Sequence, residues 1–164
     1  MPHPHALTGL TVREAITDGL YRAVMAFDLN DVAMLDSAFA GEDVTLEMHA
    51  GGNEHHSVSS LSMFKAQIFD HVGPLDTMHM ISNVRIDVKD GADSASLTAY
   101  SLNQHCPTGK GYDLDAPKYL VGGEYTMDFV RDEVDGLWKI KKWVMNVIWR
   151  QGDPSVMQRP ASLE

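Results

Sequence analysis

Three side chains of this sequence have the types and the setting that acid–base chemistry requires. His79 lies in LDTMHMISNV between two methionines, and the apolar run predicts a buried strand. A buried histidine must find a hydrogen-bond partner or stay neutral at a cost. Asp28 ends the helical segment MAFDLND behind an apolar face, and His105 lies near the end of the strand-like segment SLNQHC. An aspartate that orients a histidine would make a general base.

The strands that carry the two histidines are predicted to form a hairpin. DTMHMISNVRIDV and SASLTAYSLNQHC flank the turn signal KDGAD. Pairing across this turn places His79 opposite Asn103 and close to His105, although a slip of one residue would reverse the faces. Alternation puts on one face His79, Ile81, Asn83, Ala99, Ser101, Asn103 and His105, and on the other face Met78, Met80, Val84 and Ile86.

Each of the three side chains also has a structural interpretation. Asp28 can cap the following helix beside Asp31, since aspartate is a common N-cap. His79 can be a core histidine whose hydrogen bonds are satisfied, and His105 can be a residue at a loop edge beside Cys106. From the residues alone these interpretations stay open.

A second group of histidines surrounds the glycine-rich segment GGNEHHS. His49, His55 and His56 occur there together with Glu47 and Glu54. Such residues can bind a metal, but the spacing matches no specific zinc pattern. A solvated loop is the favoured interpretation, and no metal site is predicted.

Composition narrows the class of protein. The chain has 164 residues, a formal net charge of −10 and a pI near 5.1, and this charge argues against nucleic acid as a partner. No apolar run approaches the ~20 residues of a membrane span, and no secretory signal is visible. With one cysteine, a cytoplasmic location is expected. The ten methionines can fill a core or line a roomy apolar pocket.

The order of the predicted elements indicates an α+β fold. Three helices come first, and the first begins at Thr11 with a capping-box pattern to Glu14. Long strands follow, and Gly122-Gly123 predicts a bulge or sharp bend. We therefore expect N-terminal helices packed in a strongly curved mixed or antiparallel sheet that encloses a conical pocket. The predicted division is a flexible N-terminus at 1–9, one domain at 10–150 and a loose tail at 151–164.

The segments FDLND, TMHMISNV, SLNQH and GLWKIKKWVMNVIW resemble the SnoaL-like branch of the nuclear transport factor 2-like superfamily. The resemblance covers residues 10 to 150, with scytalone dehydratase and hexachlorocyclohexane dehydrochlorinase as the nearest functional relatives. It implies a cone-shaped α+β barrel in which an aspartate near the end of the first helix orients a histidine base. Asp28 and His79 match these two positions, and His105 matches a second histidine of scytalone dehydratase.

The sequence also departs from that pattern. Phe27, Met48 and Met127 stand where scytalone dehydratase carries two tyrosines and an asparagine, so this chain is not expected to be scytalone dehydratase itself. Tyr125 and Asn146 are candidate replacement donors. The predicted substrate-binding set is Tyr125, Asn146, Tyr21, Phe27, Met48, Met127 and Phe129.

The resemblance implies a cofactor-free dehydratase that eliminates water from an apolar polyketide-like or terpenoid-like molecule. In that mechanism Asp28 accepts the Nδ1 hydrogen of His79, and His105 protonates the departing hydroxyl. An isomerase or cyclase with the same base is one alternative, and a non-catalytic ligand-binding or subunit-like module is another. We expect no cofactor, and a homo-oligomer, either a dimer or a trimer.

Overall fold

The computed structural model describes residues 3–158, in which three helical segments pack against one sheet. The helices are α1 (Val12–Leu29), α2 (Val32–Ala38) and α3, which joins Leu61–Phe64, a π-helical turn at Lys65–Phe69, and Asp70–Val72. The strands are β1 (Thr45–His49), β2 (His55–Val58), β3 (Asp76–Asp87), β4 (Ser94–Cys106), β5 (Tyr119–Arg131) and β6 (Trp138–Gly152). A 3-10 turn at Pro154–Met157 follows β6.

The ends of α1 follow from local chemistry. Thr11 and Glu14 form the predicted capping box, and Asn30 ends the helix in the left-handed conformation with φ 50°. Asp31 caps α2 by accepting from the Met34 amide. Between these ends α1 buries a stripe of apolar side chains against the sheet. Within residues 3–158, α1 and the other helices lack the combination of length and apolar character that a membrane span needs.

The sheet has six strands in the order β2-β1-β6-β5-β4-β3. β1 runs parallel to β6, and the other neighbours are antiparallel, so the sheet is mixed. It is curved but not closed, which confirms the α+β prediction and makes the cone an open one. The predicted bulge occurs between Gly122 and Gly123, and a Cβ atom on Gly122 would lie 2.3 Å from the Trp149 ring.

One buried arginine fastens α1 to the rest of the fold. Arg22 pairs with Asp18 at 2.9 Å, and it also donates to the carbonyl oxygens of Ser37 on α2 and Trp138 on β6. Only 3% of Arg22 is exposed, so these bonds satisfy a guanidinium that water cannot reach. The C-terminal half of α1, which carries Asp28, is thereby fixed over the sheet.

The prediction of a loop at GGNEHHS was wrong for its second half. Gly51 and Gly52 make the turn with φ 90° and 57°, but His55–Val58 forms strand β2 against β1. Only Val58 of this edge strand is buried. A strand with one buried side chain shows no apolar alternation, so its sequence looks like a loop.

The predicted faces of β3 hold only for its first half. His79 and Ile81 face inward, but Asn83 adopts φ 54° where the register shifts between Ser82 and Arg85. This irregularity reverses the alternation, because one extra residue turns every following side chain to the opposite face. Val84 and Ile86 therefore pack on the core, against expectation.

The beginning of the predicted tail is structured. β6 continues through Gln151 to Gly152, and Val156 of the 3-10 turn is buried with Tyr119 and Val121. His71 contacts the Met157 carbonyl oxygen at 2.5 Å, which fastens the turn to α3. Residues 1–2 and 159–164 lie outside the described range. The division into one domain and two terminal segments stays a prediction.

Candidate active site

The concave face of the sheet and the helices enclose a cavity of about 290 Å³. Most of its wall is apolar, and both predicted histidines line it. The apolar wall consists of Phe27, Leu46, Met48, Ala50, Phe64, Ile68, Val72, Val121, Trp143, Met145, Val147 and Met157. A mostly apolar cavity with a few convergent polar groups is the usual form of a small-molecule site.

His79 and Asp28 form a partly buried pair at this wall. Asp28 Oδ1 lies 2.6 Å from His79 Nδ1, and Asp28 Oδ2 accepts from the His79 backbone amide at 3.0 Å. The His79 side chain is 8% exposed and the Asp28 side chain is 19% exposed. Both carboxylate oxygens are therefore used to hold one residue of β3. Asp28 does not cap α2, since Asp31 does, so the capping interpretation was wrong.

The Asp28 contact determines which nitrogen of His79 is available to a ligand. The carboxylate accepts the Nδ1 hydrogen, which leaves Nε2 with a free lone pair. Phe27, the neighbour of Asp28, packs against the imidazole with ring centroids 5.5 Å apart. The ring is thus fixed in position and in tautomer, as a general base requires.

His105 is held in a different way. Its Nδ1 lies 2.8 Å from the Thr77 hydroxyl, which is also 3.1 Å from the Gln104 carbonyl oxygen. Burial, with the nearby His79 as a second cause, lowers the pKa of His105 from 6.5 to about 4. His105 is therefore neutral at neutral pH. This outcome argues against its predicted role as a protonated acid for the departing hydroxyl.

The two histidines meet as the hairpin register predicts. His79 pairs with Asn103 across β3 and β4, and the His79 and His105 ring centroids lie 5.7 Å apart at an interplanar angle of 74°. The predicted proximity is confirmed. An edge-to-face arrangement at this distance leaves both imidazoles on one cavity wall, where they can contact adjacent atoms of one ligand.

A third polar group comes from β5. The Tyr125 hydroxyl accepts from Asn103 Nδ2 at 3.1 Å, and burial raises the pKa of this phenol. The phenolic hydrogen is thus retained at neutral pH and can be donated. Among residues 3–158, three buried side-chain atoms have no hydrogen-bond partner, and they are Ser101 Oγ, Asn103 Oδ1 and Trp143 Nε1. Such groups are costly unless a water or a ligand satisfies them.

The predicted substrate-binding residues divide into two sets. Phe27, Met48 and Tyr125 line the cavity together with the two histidines. The other predicted residues do not line it, and they are Tyr21, Met127, Phe129 and Asn146.

Each of these four residues lies away from the cavity for a physical reason. Tyr21 is 42% exposed on the outer side of α1, whereas Met127 and Phe129 are fully buried deeper in the core. Asn146 lies between Met145 and Val147, which line the cavity, so alternation turns Asn146 to the other face. These four residues therefore lie outside the cavity wall, and their binding of substrate stays a prediction.

Several polar residues of the wall were missing from the prediction. Asn103 was recognisable as the partner of His79 in the hairpin, but its link to Tyr125 joins separate strands. Tyr119, Arg150, Glu54 and His56 border the same cavity. Arg150 pairs with Glu54 at 2.8 Å across β6 and the β1–β2 turn. No local motif in the sequence announces such a contact.

Comparison with known proteins identifies the family of the chain. Residues 8–144 match the model of the SnoaL-like domain family. The chain is 34% identical over 154 residues to the terrestric acid biosynthesis cluster protein E of Penicillium crustosum, covering 93% of this chain and 94% of that protein.

Solved structures share the fold at low identity. A candidate scytalone dehydratase from Novosphingobium aromaticivorans gives a TM-score of 0.67 at 20% identity, covering 91% of this chain and 89% of the other. The hexachlorocyclohexane dehydrochlorinase of Novosphingobium barchaimii gives a TM-score of 0.59 at 18% identity, covering 91% of this chain and 94% of the other. A nuclear transport factor 2-like protein of Salmonella enterica gives a TM-score of 0.64 at 12% identity, covering 82% of this chain and 89% of the other. The chain belongs to the SnoaL-like domain family and has the nuclear transport factor 2-like fold.

Proposed function

We propose that this protein is a cofactor-independent dehydratase that removes water from a β-hydroxy carbonyl compound. The observation that carries the proposal is the Asp28–His79 pair, 2.6 Å apart at the wall of an apolar cavity. A ligand-binding module has no need of an ionisable pair fixed through both carboxylate oxygens. A general base needs this arrangement, because the carboxylate stabilises the imidazolium that forms.

In the first step His79 Nε2 removes the proton on the carbon next to the substrate carbonyl. Asp28 holds the Nδ1 hydrogen and balances the positive charge that develops on the ring. The electron pair of the broken C–H bond moves toward the carbonyl and forms an enolate. The apolar wall around His79 keeps the effective dielectric low, which strengthens the Asp28–imidazolium attraction.

Tyr125 is the donor for the negative charge of the enolate. Its hydroxyl accepts from Asn103, so its own hydrogen remains available for the substrate oxygen. The unpartnered Trp143 Nε1 is a second buried donor in the same wall. These two donors take the place of the two tyrosines and the asparagine of scytalone dehydratase. This chain carries Phe27, Met48 and Met127 at those positions.

In the second step the bond between the β-carbon and its hydroxyl breaks. The enolate electrons form the carbon–carbon double bond, and the hydroxide takes the proton that His79 carried, which gives water and restores the base. His105 is neutral. Because Thr77 donates its single hydroxyl hydrogen to the Gln104 carbonyl oxygen, His105 Nδ1 donates to Thr77, and Nε2 accepts from the substrate hydroxyl and so positions the leaving group. Every proton and electron pair is thereby accounted for without a cofactor.

The cavity and the relatives support a particular substrate class. A cavity of about 290 Å³ is near the lower end of small-molecule sites, ~300–1,000 Å³, and suits a compact ring system. The Penicillium relative is named for a biosynthesis cluster, which supports a polyketide-like or terpenoid-like substrate of secondary metabolism.

The test is a panel of cyclic and aromatic β-hydroxy ketones incubated with the protein in D₂O. NMR would follow deuterium entry at the α-carbon, and mass spectrometry would follow loss of water. We expect both reactions with at least one compound, and we expect both to disappear in His79→Gln. His5→Gln is the matched control, because His5 contacts Asp31 outside the cavity.

The outcomes separate the candidate activities. α-Exchange with no loss of water, and with products of unchanged mass, would favour an isomerase or cyclase over a dehydratase. Exchange that survives in His79→Gln, or no exchange with any compound that binds, would contradict the proposal.

A further inference from the structure

A second group of metal-ligating side chains lies where β1 and β2 pair. Glu47 and His49 are two positions apart on β1 and so share one face of that strand. His55 on β2 is the direct partner of His49 in the ladder. The antiparallel pairing thus brings two imidazoles and one carboxylate together, although Gly51-Gly52 and the rest of the turn separate them in sequence.

Their distances are those of a chelating set. One ligand atom from each of the three side chains lies within 4.8 Å of the other two. His49 Nε2 is 3.5 Å from Glu47 Oε2, and the His49 and His55 ring centroids are 4.5 Å apart. A tetrahedral zinc ion binds nitrogen and oxygen at about 2.0–2.2 Å. This geometry requires ligand atoms separated by a distance close to the 3.5 Å between His49 Nε2 and Glu47 Oε2.

Lys142 prepares the carboxylate for such a role. Its Nζ lies 3.0 Å from Glu47 Oε1, which leaves Oε2 turned toward His49. Hydrogen bonds that fix one oxygen of a ligating carboxylate are typical of metal sites. The positive charge of Lys142 acts in the opposite direction, because it repels a cation.

We propose that Glu47, His49 and His55 bind a divalent transition-metal ion, with Zn²⁺ as the best match to two imidazoles and one carboxylate. Three protein ligands leave a fourth position for water, and Asn146 lies beside His49 in the parallel β1–β6 register. The ion would cross-link β2, an edge strand, to β1.

The position of this site gives it a consequence for the cavity. His49 and His55 do not line the cavity, but Glu47 borders it, and so do Glu54 and His56 from the β1–β2 turn and β2. Binding of an ion would therefore order one rim of the cavity without taking part in chemistry at His79. The inference does not rest on the dehydratase proposal.

The test is calorimetric titration of the chain, free of any added histidine tag, with ZnCl₂. We expect one ion per chain, and a loss of at least ~10-fold in affinity in His49→Gln and in His55→Gln, as for loss of a group that supports a metal site. His56→Gln is the matched control, since His56 follows His55 on the same strand and faces the cavity. Its zinc affinity should equal that of the wild type.

Two further measurements, zinc affinity of a Lys142 variant and NMR of the histidine rings, test the location of the site. Lys142→Met should bind Zn²⁺ several-fold more tightly, because a like charge next to the ion is removed. In NMR spectra of the folded protein, the ring signals of His49 and His55 should shift on zinc addition while that of His79 does not. No binding by the wild type, or binding that persists in both glutamine variants, would overturn the site and leave the dehydratase proposal untouched.

Discussion

His79 and His105 lie on neighbouring strands and face one cavity, but they differ in the partner at Nδ1. A carboxylate holds His79 at 2.6 Å, whereas a hydroxyl holds His105 at 2.8 Å. The Thr77 hydroxyl carries no charge, so it does not offset the effect of burial on the His105 ring. His105, which is 4% exposed, has a pKa of about 4. The comparison teaches that two histidines on one cavity wall can have different Nδ1 partners and so different surroundings for the ring.

The largest effect should come from removing the charge behind His79. In Asp28→Asn the amide cannot stabilise an imidazolium, and we expect turnover to fall about 10²–10⁴-fold. The rate of α-deuterium incorporation measures the loss. Asp31→Asn is the matched control, because Asp31 caps α2 and lies outside the cavity. Turnover of Asp28→Asn at the wild-type rate would show that the two histidines do not differ as proposed.

The low pKa of His105 should appear as a pH dependence of stability. Because the folded state binds this proton more weakly than the unfolded chain, stability is lost as pH falls from 6.5 to about 4 and then levels off for this group. The contribution is roughly 3 kcal/mol.

Denaturant unfolding of wild type and His105→Gln across this range would measure it. The difference between the two curves isolates His105 from carboxylates such as Asp76, whose lowered pKa affects stability at lower pH. A difference that does not change between pH 7 and 4 would contradict the assignment of His105 as a neutral side chain.

A variant of Tyr125 tests whether a donor on β5 stabilises the negative charge of the enolate. Tyr125→Phe removes one buried donor, and we expect turnover to fall about 10²-fold. Tyr100→Phe is the matched control, since Tyr100 is 48% exposed on β4 and does not line the cavity. Equal turnover in Tyr125→Phe and wild type would leave Trp143 Nε1 as the donor to the enolate.

The smallest effect should follow from loss of the hydroxyl behind His105. Thr77→Val leaves His105 Nδ1 buried without its partner, which should lower the free energy of unfolding by about 1–3 kcal/mol. Thr126→Val, at an exposed position of β5, should stay within about 0.5 kcal/mol of wild type. Thermal or denaturant unfolding measures both. If the two variants were equally stable, the Thr77 contact would have no energetic weight.

Much of the site could be predicted because its key residues belong to three regular elements, α1, β3 and β4. The capping box at Thr11 starts α1, and the helical period then carries Asp28 to its end. The turn signal KDGAD sets the register that pairs His79 with Asn103. The SnoaL-like family assignment was confirmed as well. Cytoplasmic location and the homo-oligomer remain predictions.

Other features depended on departures from regular periodicity. The bulge at Asn83 turned Val84 and Ile86 inward, and the edge strand at His55–Val58 lacked any apolar alternation. Asn146 was misplaced because the inward face of β6 there belongs to Met145 and Val147. A single extra or missing residue in an alternating pattern changes which side chains meet, and sequence alone does not fix it.

The sequence by itself determined the helices, the hairpin and the candidate Asp28–His79 pairing, because these follow from local periodicity, turn chemistry and the family pattern. Only the tertiary structure decided the burial that lowers the pKa of His105, the Asn103–Tyr125 bond and the cluster of Glu47, His49 and His55. Burial and cross-strand distance produce these features. Both quantities arise only when elements that are distant in sequence pack together, so no local pattern encodes them.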